Sequence, residues 1–182
     1  LLALGMLTAG LLGRLLPEET ELAAKYGQNT ARTKAMRTAL ITGTALLLHN
    51  FPEGVLTLFA GTADPALGLR TALAIALHNI PEGLAVAVPF AYATRSRAAG
   101  VLAALVSGLA EPLGAVLAWL FLRRFFTPGF LTGTVVLAAG IMVWVALAQL
   151  LPQAMAAKHR AAGIFGAAAG TLLMLLGIAA LP

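Results

Sequence analysis

His, Asn, Pro, Glu and Gly occur together twice in this chain, as HNFPEG at residues 49–54 and HNIPEG at 78–83, each within a run of Leu, Ala, Val and Ile. Imidazole nitrogen, amide oxygen and carboxylate are the donors of a cation site built from nitrogen and oxygen. On an α-helix Glu53 falls about 40° from His49 and about 60° from Asn50, between the two, so one carboxylate can serve both neighbours. His78, Asn79 and Glu82 repeat the pattern. A third acid, Glu111, lies in another apolar run. Pro52 and Pro81 free the carbonyls of Leu48 and Leu77 and bend their helices, while Gly54 and Gly83 let a neighbouring helix come close.

The surrounding solvent decides what these groups mean. Of 182 residues 60% are hydrophobic and 10% charged, against about 25% charged in a soluble domain, and mean hydropathy is +0.91. Apolar runs of about 18 residues or more recur along the chain, each enough to cross a bilayer as a helix. The expected fold is therefore an all-α integral membrane protein: a polytopic bundle of six transmembrane helices with a Pro-kinked central pair, in one domain over 1–182. The spans are placed at about 1–16, 38–61, 70–93, 99–122, 130–151 and 161–182. The first starts without an initiator Met or a polar flank, which suggests a missing amino-terminal portion.

A net charge of +5 would suggest nucleic acid in a soluble protein, but its distribution points to a membrane. Arg14, Lys25, Arg32, Lys34, Arg37, Arg95, Arg97, Lys158 and Arg160 fall on one side of the six-span arrangement, and Arg70, Arg123 and Arg124 on the other. By the positive-inside rule the 16–37 loop is cytoplasmic and the carboxyl terminus outside. The expected location is the cell membrane, inner or plasma, with the lipid bilayer as partner and no nucleic acid. Oligomeric state is left open, a homodimer among the options.

Of seven acids, Glu18, Glu19, Glu21 and Asp64 lie in connectors and Glu53, Glu82 and Glu111 within spans. A charge at the centre of a span costs roughly 2.5–3.5 kcal/mol on insertion scales and marks an ion pathway, a proton relay or a buried partner. Apart from Arg70 at the outer end of its span, no Lys or Arg lies in these spans to pair with the acids, so the counter-charge is read as a bound cation. Glu53 and His78 both sit about 12 Å below the outer helix ends of a hairpin turning near Gly61, and Glu111 lies about 18 Å along its own span. All three acids thus reach one height.

With no Cys the donors suit Zn²⁺, Fe²⁺, Mn²⁺, Co²⁺ or Cd²⁺ better than Cu⁺, zinc leading. Two ions would bring four positive charges against three glutamates, and one ion would leave one negative charge over; both fit. The metal is substrate rather than cofactor, and no cofactor or catalytic residue is expected. Two other classes use similar residues. An intramembrane metalloprotease needs a spacing such as H-E-x-x-H, which neither repeat has, and a proton-coupled solute carrier would use the glutamates as a relay. His159 reads as a solvated loop residue, Trp119 and Tyr92 as interface anchors, and Met142 and Trp144 as packing or lipid-facing.

LHNFPEG, LHNIPEGLAVAVPFAYATRSR and SGLAEPLGAVLAWL resemble the fourth, fifth and sixth spans of the ZIP (Zrt/Irt-like) metal transporters, nearest to the bacterial ZupT-type members. The resemblance covers the whole chain as the last six of eight spans. It implies uptake of divalent transition metals into the cytoplasm through a binuclear site, with His49, Asn50, Glu53, His78, Asn79, Glu82 and Glu111 at the matching ligand positions. The chain departs from the pattern in three ways. The first two spans are absent; AQLLPQA carries Gln149 and Gln153 where relatives place acids; and the 16–37 loop has no His-rich tract.

Overall fold

The computed structural model describes residues 1–26, 30–156 and 160–180, and the described residues are almost entirely helical. The helices are α1 (Leu2–Leu15), α2 (Glu19–Tyr26), α3 (Thr30–Ala63), α4 (Pro65–Thr94), α5 (Arg97–Gly108), α6 (Ala110–Leu117), α7 (Pro128–Trp144), α8 (Leu151–Ala156) and α9 (Arg160–Ala180). Two π-helical turns, Ala118–Leu122 and Val145–Leu150, extend α6 and α7. In lipid a backbone must satisfy its own polar groups, which a helix does within one segment. Leu7, Phe121 and Phe165, each about two-thirds exposed or more, have a favourable solvent only in hydrocarbon. The protein is an all-α, multi-pass membrane protein.

Among the described residues, four stretches meet both the length and the hydropathy of a span: Pro65–Thr94, Arg97–Phe121, Pro128–Leu150 and Arg160–Gly177. The first helix has 14 residues. The long α3, 34 residues or about 51 Å, exceeds the bilayer; its hydropathy is diluted by the HNFPEG motif and by Arg32, Lys34 and Arg37 near its start.

Chain chemistry sets the boundaries. Asp64 alone separates α3 from α4: its side chain accepts from the Ala66 amide at 2.8 Å, and Pro65 opens the helix, as a cap followed by Pro should. A turn this tight makes α3 and α4 an antiparallel hairpin and puts the two motifs level. Arg95, with φ 57°, ends α4 in the left-handed region, and Ser96 caps α5 through the Ala99 amide. The span expected at 99–122 is present as Arg97–Phe121, its regular α-helix interrupted only at Leu109, between Gly108 and Ala110. Pro112 has no N–H for the Gly108 carbonyl, and its ring crowds that carbonyl.

Within the connector expected at 16–37 the structure forms α2 and the first two turns of α3. Leu22 of α2 is buried with Met36 and Ala93, and Arg32 donates through Nε and Nη2 to the Ala93 carbonyl at 3.0 and 2.6 Å. This basic end of the α3–α4 hairpin is thereby clamped shut. His159, expected in a loop, and Lys158 lie outside the described residues.

The long α3 is the axis on which α4, α5, α6 and α7 pack. Its approach to α6 is at backbone level: a Cβ on Gly54 would collide with the Glu111 carbonyl, and one on Gly114 with the Phe51 carbonyl. Gly83 does not repeat this role, because the nearest atom to a Cβ there is Ala104 Cβ at 4.0 Å, an ordinary contact. Trp144 packs on Gly10 and Gly13 of α1, which settles it as a packing residue, whereas Trp119 is about half exposed beneath the Arg123 guanidinium, 5.7 Å from its ring centroid.

Candidate metal centre

The hairpin brings the two motifs face to face. His49, Glu53, His78 and Glu82 each offer a ligand atom, all lying within 4.8 Å of one another. Glu53 Oε1 is the hub, 3.1 Å from His49 Nε2 and 2.8 Å from His78 Nε2, and Glu82 Oε1 lies 3.7 Å from His49 Nε2. Donors held tetrahedrally at about 2.0–2.2 Å from one ion lie about 3.3–3.6 Å apart; the three contacts above bracket that separation, and a pair at the 4.8 Å limit would have to close by about 1 Å. Their side chains are one-tenth to one-quarter exposed, which leaves the carboxylates weakly screened.

The remaining expected residues stand beside this cluster. Asn79 Nδ2 donates to Glu111 Oε2 at 2.7 Å, joining α4 to α6. Asn50 Nδ2 donates to the Ser107 carbonyl at 3.3 Å. The wheel puts Glu53 between His49 and Asn50, but the structure pairs it with the two histidines and turns the Asn50 amide to α5. Asn50, Asn79 and Glu82 line a cavity of about 50 Å³ together with Gly83, Ser107 and Gly108, room for one or a few atoms the size of water.

The hydrogen bonds of the two amides join helices and leave other polar atoms without a partner among the described residues. Each amide points its NH₂ at an acceptor that has no proton to give back, so each presents its oxygen the other way. Asn50 Oδ1, Asn79 Oδ1, Glu53 Oε2 and Glu82 Oε2 are buried with no hydrogen-bond partner among the described residues. Such oxygens would be costly in an apolar interior without a partner, and their chemistry fits a cation or its bound water.

Sequence reasoning missed two backbone groups, both carbonyls. His49 Nδ1 lies 3.2 Å from the Ala138 carbonyl of α7, an acceptor that fixes Nδ1 as the N–H and leaves Nε2 facing the cluster, the way metal-binding imidazoles are oriented. The other is Ser107. Neither carries a side-chain signature, although Pro112 could have signalled the helix break next to Ser107.

The fold and this cluster define a multi-pass helical membrane protein with a His and Glu site fit for a divalent metal within the bilayer. The ZIP Zinc transporter family profile matches residues 4–181, and the chain belongs to that family. It is similar to the Zinc transporter ZupT of Chlorobium chlorochromatii (strain CaD3), 42% identical over 89% of this chain and 61% of that protein. The same name belongs to similar proteins of Akkermansia muciniphila, 40% identical over 93% of this chain and 66% of that protein, and Corynebacterium aurimucosum, 39% identical over 96% and 67%. The chain spans about two-thirds or less of the length of these curated relatives. No solved structure matches it.

Proposed function

We propose that this chain is the metal-handling part of a ZIP-type transporter, moving divalent transition-metal ions across the cell membrane into the cytoplasm. Zinc is the leading substrate, with iron, manganese, cobalt and cadmium as alternatives of the same donor preference. The observation that carries the reading is the convergence of His49, Glu53, His78 and Glu82, whose ligand atoms lie within 4.8 Å of one another, together with four buried oxygens that the described residues leave unpaired. The names of the similar proteins, zinc transporters, support it. In this reading His49, Asn50, Glu53, His78, Asn79, Glu82 and Glu111 are the ligands, and the chain is a transporter rather than an enzyme.

Two adjacent ion positions account for the division of donors. Imidazole and carboxylate make the first, amide and carboxylate oxygens make the second, and Glu82 borders both. An ion arriving from water exchanges its hydration shell for these donors one at a time, and the negative charge of the glutamates offsets its desolvation. A proton relay would use the His78 to Glu53 contact equally well, but it gives no role to the oxygens of Asn50 and Asn79.

Equilibrium binding of Zn²⁺, Cd²⁺ and Mn²⁺ to the purified chain in detergent or lipid tests this reading. The parent should bind all three, and Glu53→Gln, which removes the charge at the hub, should weaken each by on the order of 100-fold. Parental affinity in Glu53→Gln would overturn the metal assignment and leave the proton relay.

A further inference from the structure

Ser107 stands between the metal centre and a separate apolar cavity, and it touches α3 at two points. Its carbonyl accepts from Asn50 Nδ2 at 3.3 Å, and its hydroxyl donates to the Gly43 carbonyl, also at 3.3 Å. It is buried, 5% exposed, although it binds nothing in the cluster of two histidines and two glutamates. It is the penultimate residue of α5, where last-turn carbonyls lack a full set of partners inside the helix, and the chain resumes as α6 only from Ala110.

We infer that Ser107 is a positioning residue that sets the metal preference of the site, by holding the Asn50 oxygen toward the small cavity shared with Asn79 and Glu82. The chain of causes is short. The Asn50 amide has two ends, and the one given to Ser107 decides where the other points. The amide contact and the hydroxyl contact are both long at 3.3 Å, so neither holds that orientation alone. They act together, the hydroxyl tying the end of α5 to Gly43 of α3 while the carbonyl beside it takes the Asn50 amide. With both bonds in place, the Asn50 and Asn79 oxygens and Glu82 Oε2, all without a partner among the described residues, form an oxygen donor set that suits a hard ion such as Mn²⁺. The imidazoles of His49 and His78 lie in the other donor set, so Zn²⁺ and Cd²⁺ depend less on Asn50.

This inference rests on the metal-site reading above, and one titration series separates the two. Ser107→Ala removes the hydroxyl and keeps the backbone carbonyl. Loss of a supporting hydrogen bond typically weakens metal binding roughly 10- to 100-fold; the expected result is a loss of Mn²⁺ affinity of about tenfold with Zn²⁺ and Cd²⁺ changed by no more than about threefold. Ser107→Thr, which keeps the hydroxyl, should restore the parental ratio, its extra methyl having room because Ser107 lines both cavities. Asn50→Ala should produce the same selective loss, and adding Ser107→Ala to it should change little further, since both act through one oxygen. Should Ser107→Ala not fold, Ser107→Cys, of similar shape but a weak donor, carries the same comparison. Equal losses for all three ions, an unchanged Mn²⁺ affinity, or losses that multiply in the double variant would overturn the positioning role. Failure of Glu53→Gln to weaken any ion would overturn the site reading itself.

Discussion

His78 Nε2 of α4 and Glu53 Oε1 of α3 meet at 2.8 Å across a hairpin whose turn is one residue long. The same oxygen lies 3.1 Å from His49 Nε2, so one carboxylate joins two imidazoles from two helices. The first repeat thus supplies the hub and the second closes around it. The motifs are alike in sequence and unlike in role: Glu82 reaches one histidine at 3.7 Å and borders the oxygen-lined cavity.

Removing the imidazoles should change preference rather than abolish binding. Imidazole favours zinc and cadmium, while carboxylate and amide oxygens remain for Mn²⁺. The double variant His49→Ala with His78→Ala should lose Zn²⁺ and Cd²⁺ affinity by a larger factor than Mn²⁺ affinity in competition binding. Equal losses would show that the histidines shape the site without ligating the ion.

Metal binding should release protons. Each short His–Glu contact holds a proton between nitrogen and oxygen, and an ion that takes both atoms displaces it. Calorimetry of Zn²⁺ binding in buffers of different ionisation enthalpy should give a heat that varies with the buffer, and affinity should fall as pH is lowered. A heat independent of the buffer means that the ion does not enter between these groups.

Much of this arrangement was legible in the sequence because its causes are local. Helical spacing placed Glu53 beside His49, apolar length gave four of the six expected spans to within about five residues, and the short GTADPALG connector put the two motifs at one depth. What was not legible depends on backbone groups and on packing. The carbonyls of Ser107 and Ala138 have no sequence signature, Gly83 reads like Gly54 yet meets no backbone, and α2 forms in a polar stretch because Leu22 finds Met36 and Ala93 to bury against. Asn50 was expected to share Glu53 with His49 and instead faces α5, since a wheel knows only its own helix.

The contact of α3 with α6 should tolerate no side chain at Gly54. A Cβ there meets the Glu111 carbonyl, so Gly54→Ala must push the helices apart, an overpacking cost of about 1–3 kcal/mol. It should also draw Glu111 away from Asn79 and weaken metal binding. Gly170→Ala, with nothing within 4 Å of the new atom, is the control and should leave thermal stability in detergent unchanged or raised. Similar melting temperatures for the two variants would contradict the close packing.

Topology follows from the uneven division of Lys and Arg. Ala66, exposed at the start of α4, should face outside, and Ala24, exposed on α2, the cytoplasm. An impermeant thiol reagent applied to intact cells should label Ala66→Cys and spare Ala24→Cys, both in a chain otherwise free of cysteine. The reverse pattern would invert the orientation and with it the direction of transport.

The central claim, that His49 and His78 ligate one ion together with carboxylate oxygen, is tested most directly by zinc X-ray absorption on the purified chain loaded with one equivalent of Zn²⁺. The account predicts a first shell of nitrogen and oxygen at about 2.0–2.1 Å, with outer-shell scattering from two imidazoles. That scattering should fall to one imidazole in His49→Ala or His78→Ala and stay at two in His159→Ala. A shell of oxygen alone, or imidazole scattering that survives both single substitutions, would contradict it.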